Sequence, residues 1–328
     1  MKTSKSRKSY DLRKERDRRK KIILVVISII EVLRNHNHRY EREIEDGIKV
    51  VSEKDYLPEE YWRNRFEEEF SLRTVGNLSL GFWYNRWLYK ARIRALKNLL
   101  KEEKLDVKGK SVLEIGVGSG YYIDFWKSEG ISSLAGLDIT EKSVSTLKTK
   151  YPEYHFQQTD IAGNIDLDRK MDLITCMDVL YHLVDDNAFD RAISNIKDLS
   201  DKNAYIIISD FFLTNPTKPA FHEYHRTLGR YEETLSRNDF RLIRLEPMFY
   251  LAHPLLDYSA VNNFVLRFLI RVLWKTVFAL FHLGRSFHPL DKIGQESVGF
   301  LLYSLDGQIL RFKKDSPNMK LLLAKKVT

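Results

Sequence analysis

Short apolar runs alternate with stretches of helical pattern between residues 111 and 245, and this alternation constrains the fold more than any other feature of the chain. Runs of this length are typical of buried strands. Strands that alternate with helices along a chain form a parallel sheet with helices on both faces. The sequence therefore predicts an α/β fold with a doubly wound, mostly parallel sheet. The strands predicted in this part are 111–115, 133–137, 154–158, 171–177, 204–209 and 240–245.

A glycine-rich loop follows the first predicted strand. Gly116, Gly118 and Gly120 stand at alternate positions, and a helix is predicted over Tyr121–Glu129. Glycine has no Cβ where the chain must turn sharply against a ligand, and the free N–H groups of the next helix point into the same space. The spacing is not that of a dinucleotide loop, because Gly120 comes one residue early, and no Gly-Lys-Ser/Thr follows as in a phosphate loop. The pattern predicts a loop for a nucleotide-type cofactor.

Acidic residues at the ends of later strands continue the pattern. Asp138 ends the second predicted strand, 22 residues after Gly116, where a carboxylate can accept hydrogen bonds from both hydroxyls of a ribose. Asp160 ends the third strand, and the segment 172–182 fits the fourth strand and the loop after it. This order and spacing resemble the class I methyltransferases that use S-adenosylmethionine, over residues 86–250.

The resemblance implies a seven-stranded, Rossmann-like sheet and S-adenosylmethionine as cofactor. It places Glu114 near the cofactor's ammonium group, Asp138 on the ribose and Asp160 on the adenine amino group, with Ile161 packed on the ring and Met177 in apolar contact. For Asp160, a role as the cap of the following turn stays open. The cofactor-binding residues predicted in this way are Glu114, Gly116, Val117, Gly118, Gly120, Asp138, Ile139, Asp160, Ile161 and Met177.

Three histidines are candidates for a general base. Methyl transfer from a sulfonium needs mainly alignment, since the leaving group is already activated, but a hydroxyl acceptor must also lose a proton. Histidine suits that task at neutral pH. His182 follows the fourth strand, at the edge where open α/β sheets bind ligands, and His222 and His225 follow the fifth. Purely structural roles for all three remain the alternative. No metal site is predicted.

The chain of 328 residues divides into four predicted segments. Residues 1–50 form a basic tail with a short apolar segment, 51–105 a helical lid, 106–251 the cofactor-binding core, and 252–328 an amphipathic helical insertion with the final strands. The aromatic stretch Leu80–Tyr89 predicts a cover over the active site, as in microbial methyltransferases acting on glycans or lipid-linked intermediates, which it loosely resembles. Simple packing of the lid on the core is the alternative reading of that stretch.

The C-terminal segment contains the strongest membrane signal. Val261–Leu283 is predicted to form a long apolar helix with a basic stripe, which fits a helix lying in a membrane interface. A core helix with an exposed basic edge, or a dimer interface, would give the same pattern. Two strands are predicted after it, near Gly299–Leu305 and Met319–Lys325, with Asp306–Gly307 as a turn. The residues of the basic stripe are Asn263, Arg267, Arg271, Lys275 and His282.

Charge is concentrated at the two ends of the chain. The net charge of +9 comprises +8 over residues 1–21, +7 over 261–328 and −6 between them. Basic ends favour an anionic partner such as a lipid headgroup, although solvated tails have the same composition. A single cysteine, Cys176, excludes a disulfide framework and any zinc site built from cysteines, and it favours the cytoplasm.

The combined expectation is an S-adenosylmethionine-dependent methyltransferase that acts on a hydroxyl of a glycan, or of a lipid-linked or isoprenoid-type small molecule, in the cytoplasm or on the inner face of the membrane. A nucleic-acid methyltransferase is the first alternative. It is disfavoured because Asp178-Val-Leu-Tyr after the fourth strand is not the motif of enzymes that methylate base amino groups, and no RNA-binding module is visible. A non-catalytic binding subunit of the same fold is the second alternative.

Overall fold

The computed structural model describes residues 56–285 and 288–327, and the predicted basic tail lies outside them. Within this part of the chain, residues 56–267 and 295–327 belong to one compact unit, and 268–294 belong to a second. The larger unit contains the sheet and the candidate site.

Seven strands form one sheet in the described residues, as predicted. Their order is β3-β2-β1-β4-β5-β7-β6, and β7 alone runs antiparallel, pairing with both β5 and β6. The first strand lies in the middle of the sheet, so the chain moves to one side through β2 and β3 and then to the other through β4 and β5. Such a reversal creates a crevice at the carboxyl ends of the strands, where ligands bind in open α/β sheets. The strands are β1 (Ser111–Ile115), β2 (Ser133–Asp138), β3 (His155–Gln158), β4 (Met171–Cys176), β5 (Ser200–Asp210), β6 (Phe240–Pro247) and β7 (Lys320–Lys326).

Helices cover both faces of the sheet and lead into it. Strands buried on both faces read as continuous apolar runs, as β7 does with Leu321, Leu322 and Leu323 all buried. The helices are α1 (Pro58–Glu68), α2 (Leu72–Val75), α3 (Gly81–Glu102), α4 (Tyr121–Ser128), α5 (Glu141–Lys150), α6 (Asp186–Leu199), α7 (Leu228–Arg237), α8 (Phe264–Arg285) and α9 (His288–Phe312), with short 3₁₀ turns at Leu78–Leu80, Leu180–His182 and Tyr258–Ala260.

The strand predicted near Gly299–Leu305 is wrong, because these residues lie inside helix α9. An apolar run of this kind can form a strand or a helix, and the packing of these residues on α3 selects the helix. Gly299 lets the Trp87 ring approach so closely that a Cβ at position 299 would lie 2.4 Å from it. The prediction of a turn at Asp306–Gly307 is also wrong, because both residues lie in α9. The buried Asp306 carboxylate holds this part of the helix by accepting hydrogen bonds from the backbone N–H groups of residues 250–252.

One smaller difference concerns the position of a helix. The helix predicted at Val261–Leu283 is α8, shifted by two or three residues at each end. In the described chain, no helix combines the length and the hydropathy that a bilayer crossing requires.

Candidate active site

A cavity opens at the carboxyl ends of β1, β2 and β4, and most of the predicted cofactor residues line it. Helix α1 and the residues that follow it supply the opposite wall through Pro58, Trp62, Phe66 and Val75. The predicted residues on the lining are Gly116, Val117, Gly118, Asp138, Ile139, Asp160, Ile161, Met177 and His182; Glu114, Gly120, His222 and His225 do not reach it.

The glycine loop needs glycine for space as well as for backbone conformation. Gly116 has φ +71°, in the left-handed region, and a Cβ there would lie 2.3 Å from a methyl carbon of Val179. The Gly118 N–H donates a 2.8 Å hydrogen bond to Oδ2 of Asp138. The loop therefore passes close under the cavity and is tied to the end of β2.

Asp138 and Asp160 both face the cavity, and both also bind the backbone. Oδ1 of Asp138 accepts hydrogen bonds from the N–H and the hydroxyl of Thr140, at 2.9 and 2.7 Å. Burial raises the pKa of Asp138 above its ordinary value, and these hydrogen bonds oppose that rise. Asp160 accepts a 2.8 Å hydrogen bond from the Ala162 N–H, so it also caps the following turn. This contact leaves Asp160 on the cavity wall.

Glu114 lies beneath the loop as a buried acid without a protein partner. Its side chain is 1% exposed, and neither carboxyl oxygen has a hydrogen-bond partner in the described chain. Burial, and then the nearby Asp138 carboxylate, raise its pKa to about 8. A buried acid in this state fits a cationic group of a ligand, because such a group would replace the lost solvation of the carboxylate.

Arg92 forms a second buried charge site, which the sequence analysis missed. Its Nε and Nη2 lie 2.9 and 2.8 Å from Oδ2 of Asp178, which lines the cavity. Asp178 has φ +60°, and its N–H and Oδ1 both bond the Ser209 hydroxyl. Nη1 of Arg92 and the hydroxyl of Tyr122, another lining residue, have no hydrogen-bond partner in the described chain. The signal for this site in the sequence is an arginine within the apolar face of a helix.

His182 is the histidine that faces the cavity. Its Nδ1 lies 2.9 Å from the carbonyl oxygen of His222, which can only accept, so Nδ1 carries the proton and Nε2 keeps a lone pair. The Trp62 ring of helix α1 packs edge-on against it at 4.9 Å. Burial, and then His222, lower the pKa of His182 to about 3. His182 is thus a neutral imidazole with one nitrogen available.

His225 and His222 lie behind His182 in a polar network. Nδ1 of His225 lies 2.6 Å from the Asp210 carboxylate, whose other oxygen accepts from the Tyr231 hydroxyl at 2.8 Å. Burial alone would lower the pKa of His225, but Asp210, joined by Glu223, raises it to about 9. His225 is therefore a buried cation in an ion pair, and this state leaves it no lone pair to act as a base at neutral pH.

Glu223 connects the two histidines of this network. Its carboxylate oxygens lie 3.5 Å from Nε2 of His222 and 3.5 Å from Nε2 of His225. In spite of burial, these contacts hold the pKa of Glu223 well below its ordinary value. A nitrogen each of His182 and His222 and an oxygen of Glu223 lie within 4.8 Å of one another, near enough to hold a metal ion. The hydrogen bonds and ion pairs given above account for this clustering.

The aromatic wall over the cavity comes mainly from a different segment than predicted. Trp62 and Phe66 on α1 line the cavity, and Tyr61 stacks on His222 at 4.6 Å with its hydroxyl 3.2 Å from Nε2. Within the predicted stretch Leu80–Tyr89, only Tyr89 lines it. Trp87 instead packs on α9, so for most of that stretch the packing alternative is correct.

A family model described as a methyltransferase domain matches residues 84–251, slightly more than half of the chain. Among curated proteins, the ubiquinone biosynthesis O-methyltransferase of Neisseria meningitidis is 26% identical over 98 residues, which are 28% of this chain. The chain covers 41% of that relative's length.

Solved structures with a similar arrangement include two methyltransferases. An S-adenosylmethionine-dependent methyltransferase from Mesorhizobium loti gives a TM-score of 0.43 at 14% identity, with 71% of this chain and 98% of the other covered. The magnesium protoporphyrin IX methyltransferase of Synechocystis with bound cofactor gives 0.44 at 19% identity, with 60% and 90% covered.

Proposed function

We propose that this chain, which belongs to the methyltransferase domain family, uses S-adenosylmethionine to methylate a hydroxyl group on a lipid-linked or isoprenoid-type acceptor, with His182 as the general base. The observation that carries this proposal is the position of His182. It is a neutral imidazole on the cavity wall, opposite an aromatic lid, with its second nitrogen fixed by a backbone carbonyl.

The residues around the cavity fit the cofactor group by group. The unpartnered Glu114 carboxyl suits the ammonium group, and Asp138 and Asp160 on the lining suit the ribose and the adenine. The carboxylate of the cofactor needs donors, and Nη1 of Arg92 with the Tyr122 hydroxyl supplies them. When bound, the cofactor supplies a methyl group on a positively charged sulfur, and the acceptor oxygen takes that methyl group as the carbon–sulfur bond breaks.

His182 removes the proton that the acceptor hydroxyl loses. The proton goes to Nε2, because Nδ1 is already protonated toward the His222 carbonyl. With a pKa near 3, His182 is too weak a base to deprotonate a resting hydroxyl. It is sufficient once the oxygen begins to bond to the methyl carbon, since the hydroxyl proton then becomes strongly acidic. Burial keeps the imidazole neutral and ready throughout the physiological pH range.

The lining favours the lipid-type acceptor over the glycan. Trp62, Phe66 and Leu183 line the cavity together with His182, and a glycan would need several polar partners that these apolar side chains do not provide. The likeness to a relative named for O-methylation in ubiquinone biosynthesis supports the same choice.

A membrane surface is the proposed source of such an acceptor. On α8, the exposed apolar residues Phe264, Phe268 and Val272 share one helix face, with Arg271 at its edge and Lys275 within its arc. The opposite apolar face, which includes Ile270, Trp274, Val277 and Phe281, is buried. The exposed face with its basic residues fits a helix docked at anionic headgroups.

A methyl-transfer assay with labelled cofactor tests the enzymatic part. The acceptor panel contains a prenylated phenol, a short-chain phenol, a polyprenyl alcohol and a monosaccharide glycoside. We expect transfer to the prenylated compounds, and a 10²- to 10⁴-fold lower kcat in His182→Gln with unchanged cofactor affinity. His155→Gln, an exposed residue on β3, is the matched control. Wild-type kcat in His182→Gln, or transfer to the glycoside alone, would contradict the proposal.

A further inference from the structure

Helix α9 presents a largely exposed apolar face that the proposed catalysis does not use, although its Phe300 also contacts the Trp87 ring. Phe300, Leu301, Leu305 and Phe312 are 58, 55, 42 and 85% exposed. At 100° per residue they fall within an arc of about 140°, together with Ser297, Ser304, Gln308 and Arg311. We call these eight residues the α9 face. Exposed apolar residues scattered singly are ordinary, but a row of them along one helix marks a contact surface.

The α9 face is held by a rigid support. On the inner side of the helix, the Glu296 carboxylate accepts hydrogen bonds from Arg86 and Trp87, at 3.1 and 2.7 Å. Asp306 accepts three backbone N–H groups at 2.6 to 3.0 Å. These are the two acidic residues of α9 from residue 295 onward, and both point away from the α9 face. The exposed arc therefore has a fixed shape and no negative charge.

Polar groups within the arc are compatible with an apolar surrounding. The Ser304 hydroxyl donates a 2.7 Å hydrogen bond to the Phe300 carbonyl, so it is satisfied by its own helix. Arg311 reaches Gln308 at 3.4 Å and lies with the exposed Lys314 at the carboxyl end of the helix. Long cationic side chains beside an apolar arc can keep their charges at a headgroup layer while their stems remain apolar.

We propose that the α9 face docks on a bilayer containing anionic lipids. Its width of about 140° suits a flat surface better than the narrow seam of a helix pair. The charges agree, because Arg311 and Lys314 border the arc, the exposed Asp315 that follows them is paired with Lys320, and the arc contains no acid. A docking site here extends the proposed membrane contact to a second helix, and it stands on residues that the α8 proposal does not use.

Flotation with vesicles tests this inference. The full chain is mixed with vesicles of phosphatidylcholine alone, or with 30% phosphatidylglycerol. We expect wild type to float with the anionic vesicles, and Phe300→Ser/Leu301→Ser/Phe312→Ser to show at least tenfold lower partition. Arg311→Gln/Lys314→Gln should lose the preference for anionic lipid. Val327→Ser, which changes an exposed apolar residue directly after β7, is the matched control and should float like wild type.

The measurements distinguish a failure of the α9 inference from a failure of the proposed function. Cofactor binding should be unchanged in the triple variant, which also shows that it folds. If Phe268→Ser/Leu269→Ser abolishes flotation while the triple variant floats fully, the α9 inference is overturned and the α8 proposal stands. A wild type that forms dimers, does not float and becomes monomeric in the triple variant would overturn it too, because the face would then join two copies.

Discussion

Replacing Glu114 with glutamine should stabilise the cofactor-free protein and weaken cofactor binding. In the folded chain the carboxyl is 1% exposed, has no partner within the described residues and has a pKa near 8, against an ordinary value of 4.5. Between these two pH values the folded state keeps a proton that the unfolded state releases. The free energy of unfolding therefore falls as pH rises, by about 1.4 kcal/mol per pH unit.

The size of the effect follows from this slope. At pH 5 wild type and Glu114→Gln should differ little, and at pH 7 the variant should be more stable by about 3 kcal/mol. The difference should stop growing above pH 8, where both states are ionised. Guanidinium unfolding of the cofactor-free chain at pH 5, 6, 7 and 8 measures it. Glu153→Gln, a surface acid paired with Lys127, is the control and should leave the slope unchanged.

The affinity for the cofactor should change with pH in the opposite direction to the stability. An ammonium group beside Glu114 favours the carboxylate, so binding at pH 7 should release about one proton, measured by calorimetry in buffers of different ionisation enthalpy. The wild-type affinity should rise from pH 6 to 8, and Glu114→Gln should bind weakly with no such dependence. A variant that keeps both the wild-type slope of stability against pH and the wild-type proton release would show that Glu114 is not the group that titrates.

Three further changes probe the loop, the ion pair and the donor site. Gly116→Ala should cost about 2 kcal/mol of stability in chemical unfolding and at least tenfold in cofactor affinity, because of its positive φ and the 2.3 Å approach to Val179. Asp210→Asn should destabilise the folded chain by about 3 kcal/mol at pH 6, because Asp210 raises the pKa of His225. The stabilisation from this ion pair is fully present below pH 6.5, so the difference between variant and wild type should vanish as pH rises through 9. Arg92→Met should weaken cofactor binding at least tenfold in calorimetry with no loss of the Glu114 proton release; equal affinity would place the cofactor carboxylate elsewhere.

The parts of the fold that the sequence predicted are those where local signals agree. Strands β1, β2, β4 and β5 contain apolar runs followed by a turn or helix, so their existence follows from the sequence pattern and only their ends shift. Strands β3 and β6 are more polar, and they are predicted from their place in the alternation with helices. The run at 299–305 is also apolar and is followed by Asp306–Gly307, yet it is helical. Its helical state depends on the approach of Trp87 to Gly299 and on a carboxylate, Asp306, that binds another segment. Contacts between distant segments overrule an ambiguous apolar run.

The same distinction divides the candidate site. The cofactor-binding residues lie in short stretches of sequence, namely the glycine loop and the acids at the ends of strands. These stretches are adjacent in space because their strands are parallel neighbours. The lid aromatics Trp62 and Phe66 lie in a highly charged helix, where they resemble ordinary buried positions. Nothing in their spacing connects them with a cavity built about 50 to 120 residues later.

The tautomer of His182 is the clearest case of a property without a sequence signal. It is set by the carbonyl of residue 222, and a backbone oxygen is present whatever residue occupies that position. The side chain of His222 instead binds Tyr61 and Glu223, so it supports the lid and the network behind the base. It follows that His222→Gln should keep most of the activity that His182→Gln loses, because the carbonyl that holds the proton on Nδ1 remains. Three histidines that look equivalent in the sequence thus have different surroundings, as the proposed base, a support and a buried cation, and the partners of each side chain determine which of these it can be.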